Sequence, residues 1–166
     1  MHDHPTQPRH AIERAFGALS MVPYSFIALL GRFSVSAVFW KSGQTKVQGL
    51  GIDIVSGQFQ LGLPRLSDSV ISLFRDEYRL PLLAPELAAT AATWGEHIFS
   101  LLLLLGLATR LSALGLLGMT LTIQLLVYPD AYPTHGVWAT VLLLLVAQGP
   151  GKVSLDHWIA SRTRSH

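Results

Sequence analysis

Leu111 to Tyr128 reads LSALGLLGMTLTIQLLVY, a run without a single charged residue. Crossing the hydrocarbon core of a bilayer takes about 20 apolar residues, and three other stretches approach that length. They run from Met21 to Trp40, broken only by Arg32; from Leu83 to Leu107, with Glu86 near its start and Glu96 and His97 at its middle; and from Ala131 to Gly149. Backbone polar groups in lipid must be satisfied within the segment, so stretches of this length span as helices. The composition agrees: apolar residues make up 50% of the 166 and charged residues 13%, against roughly a quarter charged in a soluble domain.

The expected fold is therefore all-α, an integral membrane four-helix bundle forming one domain over residues 1–166. Its spans are 21–40, 83–107, 111–128 and 131–149, with tails at 1–20 and 150–166. Short links, ATR and PDAYPTH, join the last three spans as antiparallel neighbours. Residues 41–82 stand apart as an outer, extracytoplasmic segment of roughly forty residues. Within it Val55, Gly57, Phe59, Leu61 and Leu63 alternate with polar or small residues around the turn dipeptide Ser56–Gly57, the pattern of a hairpin. Ser67 or Asp68 then caps a short amphipathic helix between Pro64 and Pro81, with Val70, Ile71, Phe74 and Tyr78 on one face and Arg75, Asp76 and Arg79 on the other. Such a helix lies on the membrane surface or over the mouth of the bundle.

Orientation rests on Lys and Arg. Arg9, Arg14, Arg110, Lys152, Arg162 and Arg164 share the side of the termini, against Lys41, Lys46, Arg65, Arg75 and Arg79 opposite. The short loops of the first side place both termini in the cytoplasm. SVSA at 34–37 imitates a cleavage site, but Arg32 interrupts the apolar core that a signal peptide needs, so an uncleaved first span is expected. The net charge is only +2 and its basic residues are scattered, so nucleic acid is not an expected partner. With no cysteine, disulfides, thiolate metal sites and thiol relays are excluded, and with them the quinone-linked disulfide-forming membrane oxidoreductases.

Ionisable groups inside spans are costly and usually face a partner in the bundle interior. Arg32 and Glu96 come out at depths of roughly 12 and 16 Å from the cytoplasmic side at 1.5 Å per residue, which makes them the expected ion pair. Small-residue stripes, Ala28–Arg32–Ser36 and Ala88–Ala92–Glu96–Ser100, let the two backbones approach. The pair is read either as a structural clasp or as part of a proton or substrate site. Gly115 and Gly118 are read as contact points for the third helix.

His97 points about 100° away from Glu96 around the helix, towards Trp94. Further polar and aromatic groups gather towards the outer half: Trp40, Lys41 and Gln44 after the first span, then Gln124 and His135, with Lys41, Lys46 and His135 at the outer mouth. An acid beside an imidazole suits the proton transfers of quinone chemistry. Glu96 and His97 are the candidate catalytic, proton-handling groups. Arg32, Trp40, Lys41, Gln44, Trp94, Gln124 and His135 are the candidate ligand-binding set. A haem between His97 and His135 has no characteristic spacing behind it, and no metal is assigned.

GRFSVSAVFWKSGQTKV in the first span, TWGEHIFSLLLLLGLATR through the second and YPDAYPTHG with GPGKVSLD around the fourth resemble the DoxX family of small four-helix membrane proteins. The likeness extends from about residue 24 to 158. It implies a bacterial inner-membrane protein, multi-pass, associated with thiosulfate:quinone oxidoreductase or with complexes handling oxidative, thiol or metal stress. The expected function is a membrane component of such a system with a quinone-facing pocket, at most a subunit of a quinone-linked oxidoreductase. The alternative is a non-enzymatic assembly or transport partner for metal-stress proteins. Expected partners are the lipid bilayer, other membrane or periplasmic proteins and further copies of the chain.

Overall fold

Proline sets where two of the long helices begin. In the computed structural model, which describes Gly17, residues 21–53 and residues 56–163, α1 (Tyr24–Gln44) starts directly after Pro23. Four strands and the short α2 (Asp68–Ser72) follow, and α3 (Pro85–Leu105) carries Pro85 in its first turn. Proline is tolerated there because that N–H has no helical partner anyway. α4 (Thr109–Leu126), α5 (Tyr132–Gln148) and α6 (Leu155–Thr163) complete the chain. The expected tail at 1–20 lies outside the described residues, Gly17 aside.

α1 packs on α3 and α5, α3 on α4, and α4 on α5. Ala28, Val35, Phe39, Leu103, Leu116 and Leu142 form the centre of the packed interior. The outward faces remain apolar: Phe33, Leu111 and Leu125 are 61%, 70% and 72% exposed. Apolar residues inside and out are what a helix needs beside lipid. α3 and α4 are long and apolar enough to cross a membrane.

At one end of the helices, Gly106, Leu107 and Ala108 turn α3 into α4. Gly106 ends α3 in the left-handed region (φ 69), and Ala108 also has positive φ (47). Ala108 is held there by Asp156, whose two carboxylate oxygens accept the N–H groups of Ala108 and Thr109 at 2.8 and 2.9 Å. A carboxylate at a helix N-terminus satisfies orphan donors and complements the dipole, so the first turn of α6 caps α4. Tyr24 donates to the Gly149 carbonyl at 2.5 Å and the Lys152 N–H donates to Ser25 at 3.0 Å. The start of α1 is thereby tied to the loop after α5.

At the other end the outer segment forms a hairpin within a hairpin. β1 (Val47–Gln48) pairs antiparallel with β4 (Arg65–Leu66), and β2 (Gly51–Asp53) with β3 (Gln58–Gln60) around Ser56–Gly57. α2 continues as a π-helical turn, Leu73–Tyr78, stopped by Arg79 in the left-handed region. Val70 and Phe74 bury themselves against Ala88 and Ala89 of α3. The amphipathic helix therefore sits over the end of the helices. Ser67 occupies its N-cap position but makes no capping bond there, pairing instead with Ser69 at 2.7 Å and Gln48 at 3.2 Å.

Candidate functional site

Gly43 lies on the buried stripe of α1, where it faces Glu96 and His97. A Cβ there would come within 2.7 Å of the His97 ring and 3.3 Å of the Glu96 Cβ, so the missing side chain is what lets α1 and α3 meet at this level. Just past the end of α1, Lys46 turns back onto Glu96. Its ammonium lies 2.8 and 2.9 Å from the two carboxylate oxygens, 2.8 Å from the Ser42 hydroxyl and 3.2 Å from the Ser42 carbonyl. The Ser42 hydroxyl in turn donates to Glu96 Oε1 at 2.9 Å. Glu96 is 2% exposed and Lys46 7%. A buried charge pair of this kind persists only when hydrogen bonds surround it, and Ser42 supplies them.

Arg32 is not the partner of Glu96, contrary to the depth estimate. It lies beside Gly106, where a Cβ would overlap its guanidinium, and it donates to the Val153 carbonyl. Glu96 faces Gly43, so the two levels are ten residues apart along α3, about 15 Å. The start of α1 runs past the end of α3 to reach the loop at 149–152, which displaces every level on α1.

His97 is held by two bonds whose roles can be assigned. Its Nδ1 lies 2.7 Å from the Thr93 carbonyl, an acceptor only, so Nδ1 carries the proton. Its Nε2, 2.9 Å from the Gln44 amide nitrogen, is then the acceptor. The Gln44 amide is oriented by the Ile52 N–H, which donates to its oxygen at 2.7 Å, and Trp40 Nε1 donates to the Ile52 carbonyl at 3.2 Å. Trp40 packs edge-on against the His97 ring with centroids 5.1 Å apart, and Trp94 lies 6.2 Å away. His97, Gln44 and Trp40 thus fasten the β2 strand to α1 and α3.

Gln124 and His135 form a separate clasp between α4 and α5. His135 Nδ1 donates to the Gln124 oxygen at 2.8 Å, while the Gln124 amide nitrogen donates to the Pro129 carbonyl at 2.6 Å. Lys41 is exposed. The expected set therefore divides three ways: Trp40, Gln44, Trp94 and His97 together, Gln124 and His135 apart, and Arg32 at the far end.

Beside the Lys46–Glu96 pair a cavity of about 370 Å³ opens between α3, α4 and the π-helical turn. Ser42, Lys46 and Glu96 form its polar end, and Phe74, Tyr78, Phe99 and Met119 wall it. Gly115 is covered by the Phe99 ring, whereas nothing lies within 4 Å of a Cβ built at Gly118. Gly118 makes room for the cavity rather than for a helix contact. At the mouth, Tyr128 donates to Glu77 and packs edge-on against Tyr78 at 5.8 Å. Burial raises the Tyr78 phenol above its ordinary pKa.

Ser42, Thr93, Phe74, Tyr78 and Phe99 went unsingled in the sequence as site residues, and Lys46 was placed at the mouth rather than on Glu96. The spacing Ser42–Lys46 is an i, i+4 step onto one helix face, which is the signal that was available. The family model for DoxX matches residues 27–129, a stretch that contains Ser42, Lys46, Glu96, His97 and every residue lining the cavity. Neither a curated protein nor a solved structure matches the chain.

Proposed function

The chain belongs to the DoxX family, and from that premise we propose that it is a four-span inner-membrane component of a redox or oxidative and metal-stress system, whose interhelical cavity takes a quinone ring. Both termini lie in the cytoplasm on this reading, with residues 45–84 outside. The observation that carries it is the cavity, apolar and aromatic along its walls and ending at the buried Lys46–Glu96 pair with Ser42 beside it. Ligand sites have this composition, mostly apolar with a few convergent polar groups. A quinone offers a flat apolar ring and carbonyl acceptors, and Lys46 meets one by turning from its Ser42 contacts while it keeps Glu96.

Reducing a quinone to its quinol takes two electrons and two protons. The electrons come from a partner protein, since the chain carries no thiol of its own. Lys46 gives one proton to the quinone oxygen, and the Glu96 carboxylate takes up protons from water to restore Lys46 and to supply the second. His97 does not line the cavity. Its part is to hold α3, α1 and the hairpin in place around the polar end.

Titrating the purified protein with ubiquinone-1 tests this. Saturable one-to-one binding is expected, weakened about tenfold by Glu96→Gln, which removes a charge-assisted bond. Absence of saturation, or equal affinity in the variant, contradicts it.

A second reading, an assembly or transport partner for metal-stress proteins, is favoured by the outer segment, where Phe59, Leu61 and Leu63 are 65%, 84% and 82% exposed. Exposed apolar clusters mark interaction surfaces. On that reading Phe59→Ser with Leu61→Ser abolishes stress resistance in cells and leaves ubiquinone-1 affinity unchanged. If resistance survives the double substitution, the outer segment is not the working surface.

A further inference from the structure

We propose that a second site lies at the opposite end of the helices, where Arg32 holds the phosphate group of a membrane phospholipid. Arg32 lines an open groove of about 530 Å³ between α1, the end of α3 and the start of α6. The side chain is 1% exposed, yet its hydrogen bonding is incomplete: Nη2 donates to the Val153 carbonyl, while Nε and Nη1 have no partner among the described residues. Asp156 is near enough to act on it through space, but both Asp156 oxygens are engaged by Ala108 and Thr109. Buried donors on a charged group are rarely left unmatched. The unmatched N–H groups of Nε and Nη1 suit the acceptor oxygens of a phosphate.

The rest of the groove says which phosphate. Leu29, Leu104, Leu105 and Trp158 line it, and all four are more than a third exposed. A free aqueous anion gains nothing from such walls, whereas a phospholipid lays its acyl chains along them. α6 carries Leu155, Trp158 and Ile159 exposed, and the Arg162 guanidinium stands 4.0 Å over the Trp158 ring. A short helix with an exposed tryptophan and an arginine over its ring is suited to the headgroup level of a bilayer. The lipid's phosphate reaches Arg32 from that level while its chains stay in the apolar phase beside α1 and α3.

Native mass spectrometry of the full chain in detergent, with added phosphatidylglycerol, tests this against diacylglycerol of the same chains, which lacks the phosphate. The wild type is expected to retain one phosphatidylglycerol in preference to diacylglycerol by at least about tenfold, and Arg32→Lys, which keeps the charge but loses the fork, to reduce that preference about tenfold. Leu105→Trp plugs the groove with Arg32 intact and is expected to lose the lipid as well, which covers the case in which Arg32→Lys fails to fold. Equal retention of both lipids by the wild type, or phosphatidylglycerol retained at wild-type level by Leu105→Trp or by a helical Arg32→Lys protein, overturns the proposal. So does complete displacement by millimolar inorganic phosphate, which would make the site one for the free anion.

Discussion

Lys46→Met is expected to lower stability by about 3–5 kcal/mol, the cost of leaving a buried carboxylate without its counter-charge. Glu96 has nowhere to go: it is 2% exposed, fixed by α3 and faced by Gly43 across the interface. Among the described residues, Ser42 alone remains to donate to its carboxylate. The double variant Lys46→Met/Glu96→Met should recover to within about 1 kcal/mol of the wild type, because apolar replacement of a complete buried pair is often neutral or stabilising. Reversible unfolding in mixed micelles, followed by circular dichroism, measures both. A single variant as stable as the wild type would mean that the carboxylate is hydrated or otherwise matched. The double variant has a further use, since it folds without the polar end and should bind ubiquinone-1 no better than Glu96→Gln.

Gly106→Ala is the second large effect expected. The residue sits at φ 69, its Cβ would overlap the Arg32 guanidinium, and it would stand 2.6 Å from the Ser154 Cβ. Left-handed backbone costs an L-residue about 1–2 kcal/mol, and overpacking adds about 1–3 kcal/mol, so a total loss of about 2–5 kcal/mol is expected in the same unfolding measurement. Gly118→Ala provides the contrast. It lies inside α4 with nothing within 4 Å of the added Cβ, and should be neutral or stabilising by up to about 1 kcal/mol. Equal effects of the two substitutions would contradict the described packing around Arg32 and Asp156.

The helices themselves were legible because apolar length and proline placement are local properties. α3 and α4 fall on 83–107 and 111–128 within two residues at each end, and the Ser56–Gly57 turn lies between paired strands as its dipeptide implied. The ion pair was not legible, because it depends on how far one helix slides along another. Arg32 and Glu96 have similar depths only if α1 and α3 end together; Tyr24 and Ser25 anchor α1 beyond that point, on Gly149 and Lys152. Lys46 follows the last apolar turn, where the sequence places it at the mouth, and only the backward reach of its flexible stem brings it to Glu96. The partners of His97 are illegible in the sequence for a related reason. Its Thr93 bond is an i−4 contact within one helix, but the Gln44 amide that completes it is oriented by Ile52, in a strand of three residues with no alternation to announce it. Of the two glycines expected at helix contacts, Gly115 is one, packed against the Phe99 ring of α3, whereas nothing stands within 4 Å of a Cβ at Gly118, where the cavity opens instead.

Ligand binding in this space, with its polar end at Lys46 and Glu96, depends on the room that Gly118 leaves. Gly118→Leu addresses it most directly, since the new side chain enters the cavity where nothing else stands and leaves the ion pair untouched. Ubiquinone-1 affinity and thermal stability are measured on the same preparation. The protein is expected to be at least as stable as the wild type, with an affinity lower by about tenfold or more. Wild-type affinity in a folded Gly118→Leu protein would contradict it.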